Sequence, residues 1–516
     1  MLRGLVPGRP FHRADDPSHL VFPAVSRRVG LPSHERILHS GACPIANPGA
    51  LLLEGGASME FSKGYRGWLL FVLLLANAVN LADRQTMAVL GQAIKSELQL
   101  SDTQLGIIQG IGFAIFYTAM GLPLARLAER YSRARIISAS VALFGVMAML
   151  CGTATSFARM LLFRVGVGIG DAGLGPPVAS LIGDHFSRDR RATAMSILWL
   201  GAPVGVLTGA TAAGWIADHM GWRTAFYAVG TPAIAVALLA FATLREPPRG
   251  TFDVGTASAP PPWWTAFKFL FAKPGMRHTL MGCGLAAVSM NAIGQFIVPF
   301  LVRAFDMSLT NAGRTVGLIA SISMASGLLV GGFGVDRASK RDRRWFGWGP
   351  AIGLALAGPA FLAGFYQRDI AAAIALLMFA HVAMFVYYAP SLAIAQNMVG
   401  ANMRATAGFV ISAVLGLVGI GFGPTLNGLL SDHFAGGAFT LGSYASMCPK
   451  GFAPSGSAPE VVAACKAASA TGLKYAMYVM STLCLWAAVH YVLAARTIRK
   501  DFDTLYREEP AAESGG

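Results

Sequence analysis

The stretch Arg191-Ala192-Thr193-Ala194 recurs as Arg404-Ala405-Thr406-Ala407 in a chain of 516 residues. Two further pairs recur at nearly the same spacing: Glu129-Arg130 with Asp336-Arg337, and Thr103–Gly106 with Thr310–Gly313. Each copy stands at the end of a long apolar run. The repeats predict one unit of about six membrane spans that is used twice in the same orientation.

Composition places the chain in the membrane. It is 54% hydrophobic and only 13% charged, whereas a soluble protein carries about a quarter charged residues. Because a bilayer leaves no water for open backbone groups and the short alternating segments of a barrel are absent, the spans must be helices. Twelve apolar stretches of the required length occur at 67–92, 104–126, 136–155, 160–184, 192–218, 224–244, 278–303, 311–334, 346–366, 370–396, 405–430 and 473–495. We expect an all-α membrane protein with twelve transmembrane helices in two parallel six-helix halves.

The net charge of +15 is a topology signal rather than a nucleic-acid site. Loops on one side of the predicted membrane carry twice as many basic residues as loops on the other side. The basic side of a multi-pass protein is cytoplasmic. This predicts a multi-pass protein of the cell (inner) membrane with both termini in the cytoplasm and no nucleic-acid partner.

Changes in composition divide the chain further. Residues up to 60 are rich in Arg, His, Pro and Gly, and Met59 offers an alternative start. We expect five segments: a disordered tail or misassigned start at 1–60, an N-terminal six-helix bundle at 61–244, a cytoplasmic linker with an interfacial helix at 245–277, a C-terminal six-helix bundle at 278–496, and a cytoplasmic tail at 497–516.

A long outer loop is predicted at 431–472, before the last span. It holds Cys448 and Cys465, and the topology places it outside the cytoplasm, where disulfides persist. We expect a Cys448–Cys465 bond; two free thiols are the alternative.

Charges interrupt the first and fourth spans. Span 1 carries Asn80, Asp83 and Arg84, and span 4 carries Arg164 and Asp171. A charge near the bilayer centre costs at least about 2.5 kcal/mol, so these residues must face a polar interior. Helical rise puts both aspartates at nearly the same depth. We expect Asp171 to pair with Arg84 and leave Asp83 near Asn80 to exchange a proton; a purely structural ion pair is the alternative.

The second half keeps little of this cluster. Asn291 stands at the repeat equivalent of Asn80, but the charges are gone. Tyr387 either lines a substrate cavity or packs in the interior. His381 is an intramembrane titratable residue, which is more often a packing residue than a proton relay. We therefore expect any coupling to an ion in the first half.

Spans 4 and 5 contain small residues and proline. Gly168, Pro203 and Gly205 allow close helix approach and bending. Packing is their first role, and a hinge for rocking of the two halves is the functional alternative.

The loop after span 2, from Ala125 to Arg135, resembles the major facilitator signature Gly-x-Leu-x-Asp-Arg-x-x-Arg. Ala125 replaces the glycine and Glu129 the aspartate, while the second copy, from Gly332 to Lys340, fits better. The resemblance implies that charge pairing in these loops closes an inner gate. The residues concerned are Glu129, Arg130, Arg133, Asp336 and Arg337.

Within that superfamily, Asn80-Leu-Ala-Asp83-Arg84 and Gly168-Ile-Gly-Asp171-Ala look like the Spinster branch, in which span 4 has Glu where this chain has Asp171. The resemblance implies a proton-coupled secondary active transporter of a lipid-like or small organic, anionic substrate. It implies a monomer in membrane lipid, without cofactor or metal. A substrate-sensing receptor on a transporter scaffold and an uncoupled facilitator of small organic acids are the alternatives. A membrane-embedded enzyme is disfavoured because no His-Glu-x-x-His run is present.

Overall fold

The computed structural model describes residues 61–248, 263–399 and 403–513. The tail or misassigned start expected at 1–60, with the alternative start at Met59, lies outside the described residues. So do 249–262 of the expected linker and the last three residues of the chain.

The described residues are almost entirely helical, and no β-strand occurs among them. The first half, within 61–248, holds helices α1 to α9: Lys63–Leu98, Asp102–Gln109, Ile111–Arg130, Arg133–Cys151, Phe157–Ala172, Gly175–His185, Arg188–Trp199, Gly201–Met220 and Trp222–Thr243. The later described ranges hold α10 to α20: Trp263–Ala272, Pro274–Phe305, Leu309–Leu329, Val335–Ser339, Trp345–Tyr366, Ile370–Phe385, Tyr388–Asn397, Arg404–Ala413, Gly423–Ala438, Tyr444–Met447 and Pro459–Glu513. Short π-helical segments join α12 to α13 and α17 to α18.

Within the described residues, twelve of these helices or continuous helix pairs are long and apolar enough to cross a membrane. Numbered in chain order, spans 1 to 12 are α1, α2–α3, α4, α5–α6, α7–α8, α9, α11, α12–α13, α14, α15–α16, α17–α18 and α20. The predicted fold class is therefore confirmed. The repeat is visible in the breaks as well, because the break between α5 and α6 recurs in the second half between α15 and α16.

Polar caps fix where several spans begin. Ser101 accepts a hydrogen bond from the backbone N–H of Gln104 and closes a capping box at the start of span 2. Ser308 accepts from the backbone N–H of Asn311 at the start of span 8, the equivalent place in the second half. Such a cap is worth about 1 kcal/mol and separates each span from the one before it.

Close helix packing involves the predicted small residues. A Cβ atom added to Gly168 would lie 2.7 Å from the carbonyl oxygen of Phe113, and one at Gly205 would collide with the backbone of Ala78. The carbonyl of Pro203 accepts a 3.0 Å hydrogen bond from Ser321, in the other half. All three residues thus serve contacts between spans, and the hinge remains a prediction.

The connection before span 12 is shorter than the outer loop that was expected at 431–472. Helix α18 continues to Ala438 and α20 begins at Pro459, so the connection is 439–458. The alanine-rich sequence after Pro459 is a strong helix former, so the helix begins well before the predicted span. Cys448 and Cys465 are joined by a disulfide, which ties the connection to α20.

Two other expected segments are also more helical than the sequence indicated. Helix α20 runs on to Glu513, through most of the tail expected at 497–516. The expected linker at 245–277 contains α10 and the start of α11. A position of α10 at the membrane interface remains a prediction.

Candidate functional site

The intramembrane charges of spans 1 and 4 meet between the two helices. On α1, Asn80 and Arg84 are one helical turn apart and share a face, while Asp83 is turned by about 100° from Arg84. On α5, Arg164 and Asp171 are two turns apart and also share a face. The two helices therefore bring two arginines and two aspartates into one cluster, which we call the ionic cluster.

Two ion pairs make up this cluster. Arg164 Nη1 lies 2.8 Å from Asp83 Oδ2, and Arg84 Nη2 donates to Asp171 Oδ2. Asn80 Nδ2 donates to the other oxygen of Asp171. The structure thus pairs Arg84 with Asp171, but it corrects the expected place of Asn80, which bonds Asp171 and not Asp83. The cause is the helical offset, since Asn80 follows the Arg84 face and Asp83 turns toward Arg164.

The four charged groups differ in access. The side chains of Asp83, Arg164 and Asp171 are 1%, 4% and 6% exposed, whereas that of Arg84 is 25% exposed. Arg84 is therefore the most accessible member of the cluster. Asp83 Oδ1 is buried and receives no hydrogen bond from the described residues.

Aromatic rings on span 2 cover both arginines, which the sequence analysis missed. The ring centroid of Phe113 lies 5.0 Å from the Arg84 guanidinium and 5.6 Å from that of Arg164. Tyr117 stacks on Phe113 and lies 5.5 Å from Arg84. These cation–π contacts stabilise guanidinium groups that are wholly or partly removed from water. The signal was present as an aromatic pair spaced by one turn.

The second half faces this cluster with Tyr388 rather than with Tyr387. Tyr387 is fully buried, and its hydroxyl lies 3.9 Å from the sulfur of Met290, which is a packing position. Tyr388 is 36% exposed and interacts electrostatically with Arg84 and Tyr117 of the first half. A residue beside the expected one therefore contributes to the site.

The other expected residues of the second half make local contacts. Asn291 Nδ2 donates to the carbonyl of Ala287 in its own helix, at 2.9 Å. His381 is buried, with Nδ1 2.8 Å from the carbonyl oxygen of Leu377 and its ring edge-on to Phe361. Both geometries suit packing residues.

The expected inner-gate residues fall into two groups. Arg133 is buried, and it donates to Asp184 in span 4 and to Glu246 after span 6, the latter at 2.7 Å. It therefore fastens parts of the first half to one another. Glu129, Arg130, Asp336 and Arg337 are exposed at the ends of their spans, and their pairing across the halves remains a prediction.

Glu246 was not singled out from the sequence. It accepts hydrogen bonds from Arg133, from the backbone N–H of Ala134 and from the hydroxyl of Ser132. Burial alone would raise the pKa of Glu246, but these donors outweigh it and lower the pKa. The carboxylate is therefore held in its charged form. It lies at the opposite end of the bundle from Asp102, the first residue of span 2.

At the other end of the bundle, Asp102 ties the two halves together. Its carboxylate accepts from Lys95 of the first half, and from Arg303 and Ser431 of the second half, at 2.6 to 2.7 Å. Phe452 of the disulfide-tied connection lies 5.5 Å from the Lys95 ammonium. We call this the closed end.

A pair of symmetric helix caps strengthens the closed end. Asp432 of span 11 accepts from the backbone N–H and hydroxyl of Thr103 at 2.8 and 2.6 Å. Asp218 of span 5 accepts from the same groups of Thr310 at 2.7 and 2.6 Å. Each aspartate thus caps a helix of the other half, at the repeat Thr103–Gly106 and Thr310–Gly313.

The comparisons with known proteins agree with this architecture. The profile of the Major Facilitator Superfamily matches residues 73–424. An MFS-type efflux pump of Mycolicibacterium smegmatis is 32% identical over 379 residues, covering 72% of this chain and 86% of the pump. Protein spinster homolog 1 of Rattus norvegicus is 27% identical over 304 residues, or 55% of this chain; the chain spans just over half, 56%, of that relative.

A solved structure matches almost throughout. It is a bacterial homolog of the human lysosomal transporter Spinster, in an inward-facing and unoccupied conformation, with a TM-score of 0.77 and 32% identity. The match covers 86% of this chain and 99% of the other. The fold and its relatives define a membrane transporter rather than an enzyme. The chain belongs to the major facilitator superfamily, and within it to the Spinster branch.

Proposed function

We propose that this protein is a proton-coupled secondary active transporter that moves a lipid-like or small organic anion by alternating access. The observation that carries this proposal is the ionic cluster, in which three charged side chains are buried and Arg84 is partly exposed. A guanidinium that is partly exposed inside a membrane protein is suited to bind a carboxylate or a phosphate.

Charge balance supplies the coupling. Two arginines and two aspartates make the cluster neutral, and a net charge in a membrane interior is costly. An anion on Arg84 adds one negative charge, which a proton on Asp83 Oδ1 cancels. Proton and anion therefore bind together more readily than either binds alone, as symport requires.

The conformation and its orientation follow from the closed end. We take the protein to lie in the cell (inner) membrane. By the positive-inside rule, the end of the bundle that holds Asp102 then faces outward, and the end that holds Glu246 faces the cytoplasm. The polar contacts at Asp102 and at the two cross-half caps then hold the outer side shut. We infer an inward-facing transporter with both termini cytoplasmic, acting as a monomer.

The test compares Asp83→Asn and Asp171→Asn with the parent protein in proteoliposomes that contain a pH-sensitive dye. Lysophospholipids and small carboxylates that raise the melting temperature of the purified protein serve as substrates. Both variants should keep the fold but lose substrate-dependent proton uptake, because either amide leaves the cluster with one net positive charge that the anion cancels without a proton. In Asp83→Asn, the amide also cannot take up the proton.

Asp306→Asn is the matched control, since Asp306 is exposed between spans 7 and 8 and its left-handed backbone also suits Asn. Its proton uptake should be unchanged. Substrate-dependent proton uptake that survives in both cluster variants would refute the coupling, and substrate movement without protons in the parent protein would make it an uncoupled facilitator.

A further inference from the structure

A groove lies on the periphery of the second half, away from the ionic cluster. It has a volume of about 670 Å³ and lies between the end of span 9 and span 12. Its lining includes Leu362, Ala363 and Tyr366 of span 9, and Lys474 and Tyr478 of span 12. We call it the Lys474 groove.

The groove opens toward lipid. Spans 9 and 12 pack against each other, and both expose large apolar side chains further along their length. Ile352 and Leu356 on span 9 are each 50% exposed, and Trp486 on span 12 is 58% exposed. Such exposed side chains on membrane spans face acyl chains, so the apolar floor of the groove continues into the bilayer core.

The rim of the groove carries a cation with aromatic support. Lys474 Nζ lies 5.4 Å from the ring centroid of Tyr366 and 5.8 Å from that of Tyr478. No ion pair joins Lys474 to a carboxylate within the part of the chain that the structure describes. The hydroxyl of Tyr478 is buried and has no hydrogen-bond partner among the described residues. An ammonium and a phenol, both donors, therefore lie at one site with room for an oxyanion.

The height of the groove indicates the source of that oxyanion. Tyr366 is the last residue of α14, and Lys474 stands at the beginning of the apolar part of α20. Tyrosine and lysine at span ends are typical of the level of lipid headgroups. Because Lys474 already lies over two of the rings, a quaternary ammonium would be repelled from them, whereas a phosphate would be attracted.

We propose that the Lys474 groove binds an anionic phospholipid of the leaflet at the closed end. The phosphate accepts hydrogen bonds from Lys474 and from the hydroxyl of Tyr478. The acyl chains lie over Leu362 and along the apolar faces of spans 9 and 12. This site is separate from the substrate site, and its occupation fastens span 9 to span 12.

The test measures lipid retention by native mass spectrometry of the full chain, released from detergent supplemented with phosphatidylglycerol or phosphatidylcholine. Lys474→Gln should reduce bound phosphatidylglycerol roughly fivefold, the effect of one basic residue on an anionic lipid. Tyr478→Phe should also reduce it, since the ring is kept and only the hydroxyl is lost. Lys466→Gln is the matched control, because Lys466 is an exposed lysine two turns earlier on the same helix, and it should retain the lipid.

The outcomes separate this proposal from its rivals and from the transport mechanism. Equal retention of phosphatidylglycerol by Lys474→Gln and the parent protein would overturn the site. Displacement by glycerol phosphate, which has the headgroup chemistry without chains, would show a site for a soluble anion and overturn it as well. Asp171→Asn should lose proton coupling but keep the lipid, so that one proposal can fail without the other.

Discussion

At the scale of single residues, burial decides what each charge can do. Asp83 and Arg164 are closed off in their pair, while Arg84 keeps a quarter of its side chain open although it is paired with Asp171. Two chemically similar ion pairs therefore serve different purposes in the proposed mechanism. One offers a protonation site at Asp83 Oδ1, and the other offers the guanidinium that meets the substrate.

The ion pair of Arg133 and Glu246, by contrast, has a structural role. The lowered pKa of Glu246 stabilises the fold above the pKa of about 4.3 that glutamate has when unfolded. This contribution is lost as the pH falls through the lower pKa of the folded state. We expect Glu246→Gln to reduce stability by about 1 kcal/mol at pH 7, a value kept small because the side chain is partly exposed.

Thermal unfolding of the purified protein at several pH values measures this effect. The difference in stability between parent protein and variant should be full above about pH 5. It should shrink as the pH falls below about 4.3, where the unfolded chain binds a proton more readily than the folded protein. Glu460→Gln, at an exposed glutamate in the first turn of α20, should show no gap. A gap that stays constant or grows on acidification would contradict the assignment.

At the scale of helices, the repeat extends to capping. Span 2 and span 8 each begin at a serine cap of their own and receive a second cap from an aspartate of the other half. A transporter that opens at this end must give up Asp218 and Asp432 as caps at the same time. The two caps therefore contribute to the stability of the closed end.

Removal of the cross-half caps should favour the outward-open conformation. We expect Asp218→Ala and Asp432→Ala each to raise the outward-open population roughly fivefold, since one helix cap is worth about 1 kcal/mol. Spin labels at the exposed positions Met220 and Leu441 would report the change as longer distances in double electron–electron resonance.

The control for these variants is Asp369→Ala. Asp369 caps α15 through the backbone N–H of Ala372 at 2.8 Å, within the second half only. Its removal costs a cap but leaves the contact between halves intact. Spin-label distances that change equally in Asp218→Ala, Asp432→Ala and Asp369→Ala would show that the cross-half caps do not control opening. Distances that change in none of the three variants would show the same.

At the scale of the whole molecule, the fold could be predicted because repetition and hydropathy are properties of the chain itself. The copies around Arg191 and Arg404 gave the two halves, and the apolar runs gave the twelve spans. The cost of charge in lipid gave the ionic cluster and the pairing of Arg84 with Asp171. Each of these arguments needs only local sequence and the thickness of a membrane.

The residues that the sequence did not reveal owe their roles to contacts between the two halves. Asp102 and Asp432 stand at span ends, where charge is cheap and carries no signal, and their importance comes from contacts with the opposite half of the chain. The same holds for Tyr388, which is 36% exposed beside the buried Tyr387, a difference that hydropathy does not resolve. The outer loop was drawn too long because hydropathy locates the membrane, not the ends of a helix.

The central claim is that a neutral buried cluster binds a proton and an anion together. The most direct test measures substrate uptake and proton uptake at the same time, in the same proteoliposomes, for a monoanionic substrate found in the melting screen. We expect about one proton for each anion, because that ratio leaves the cluster neutral. Substrate uptake that carries no protons, or that drives protons in the opposite direction, would contradict the account.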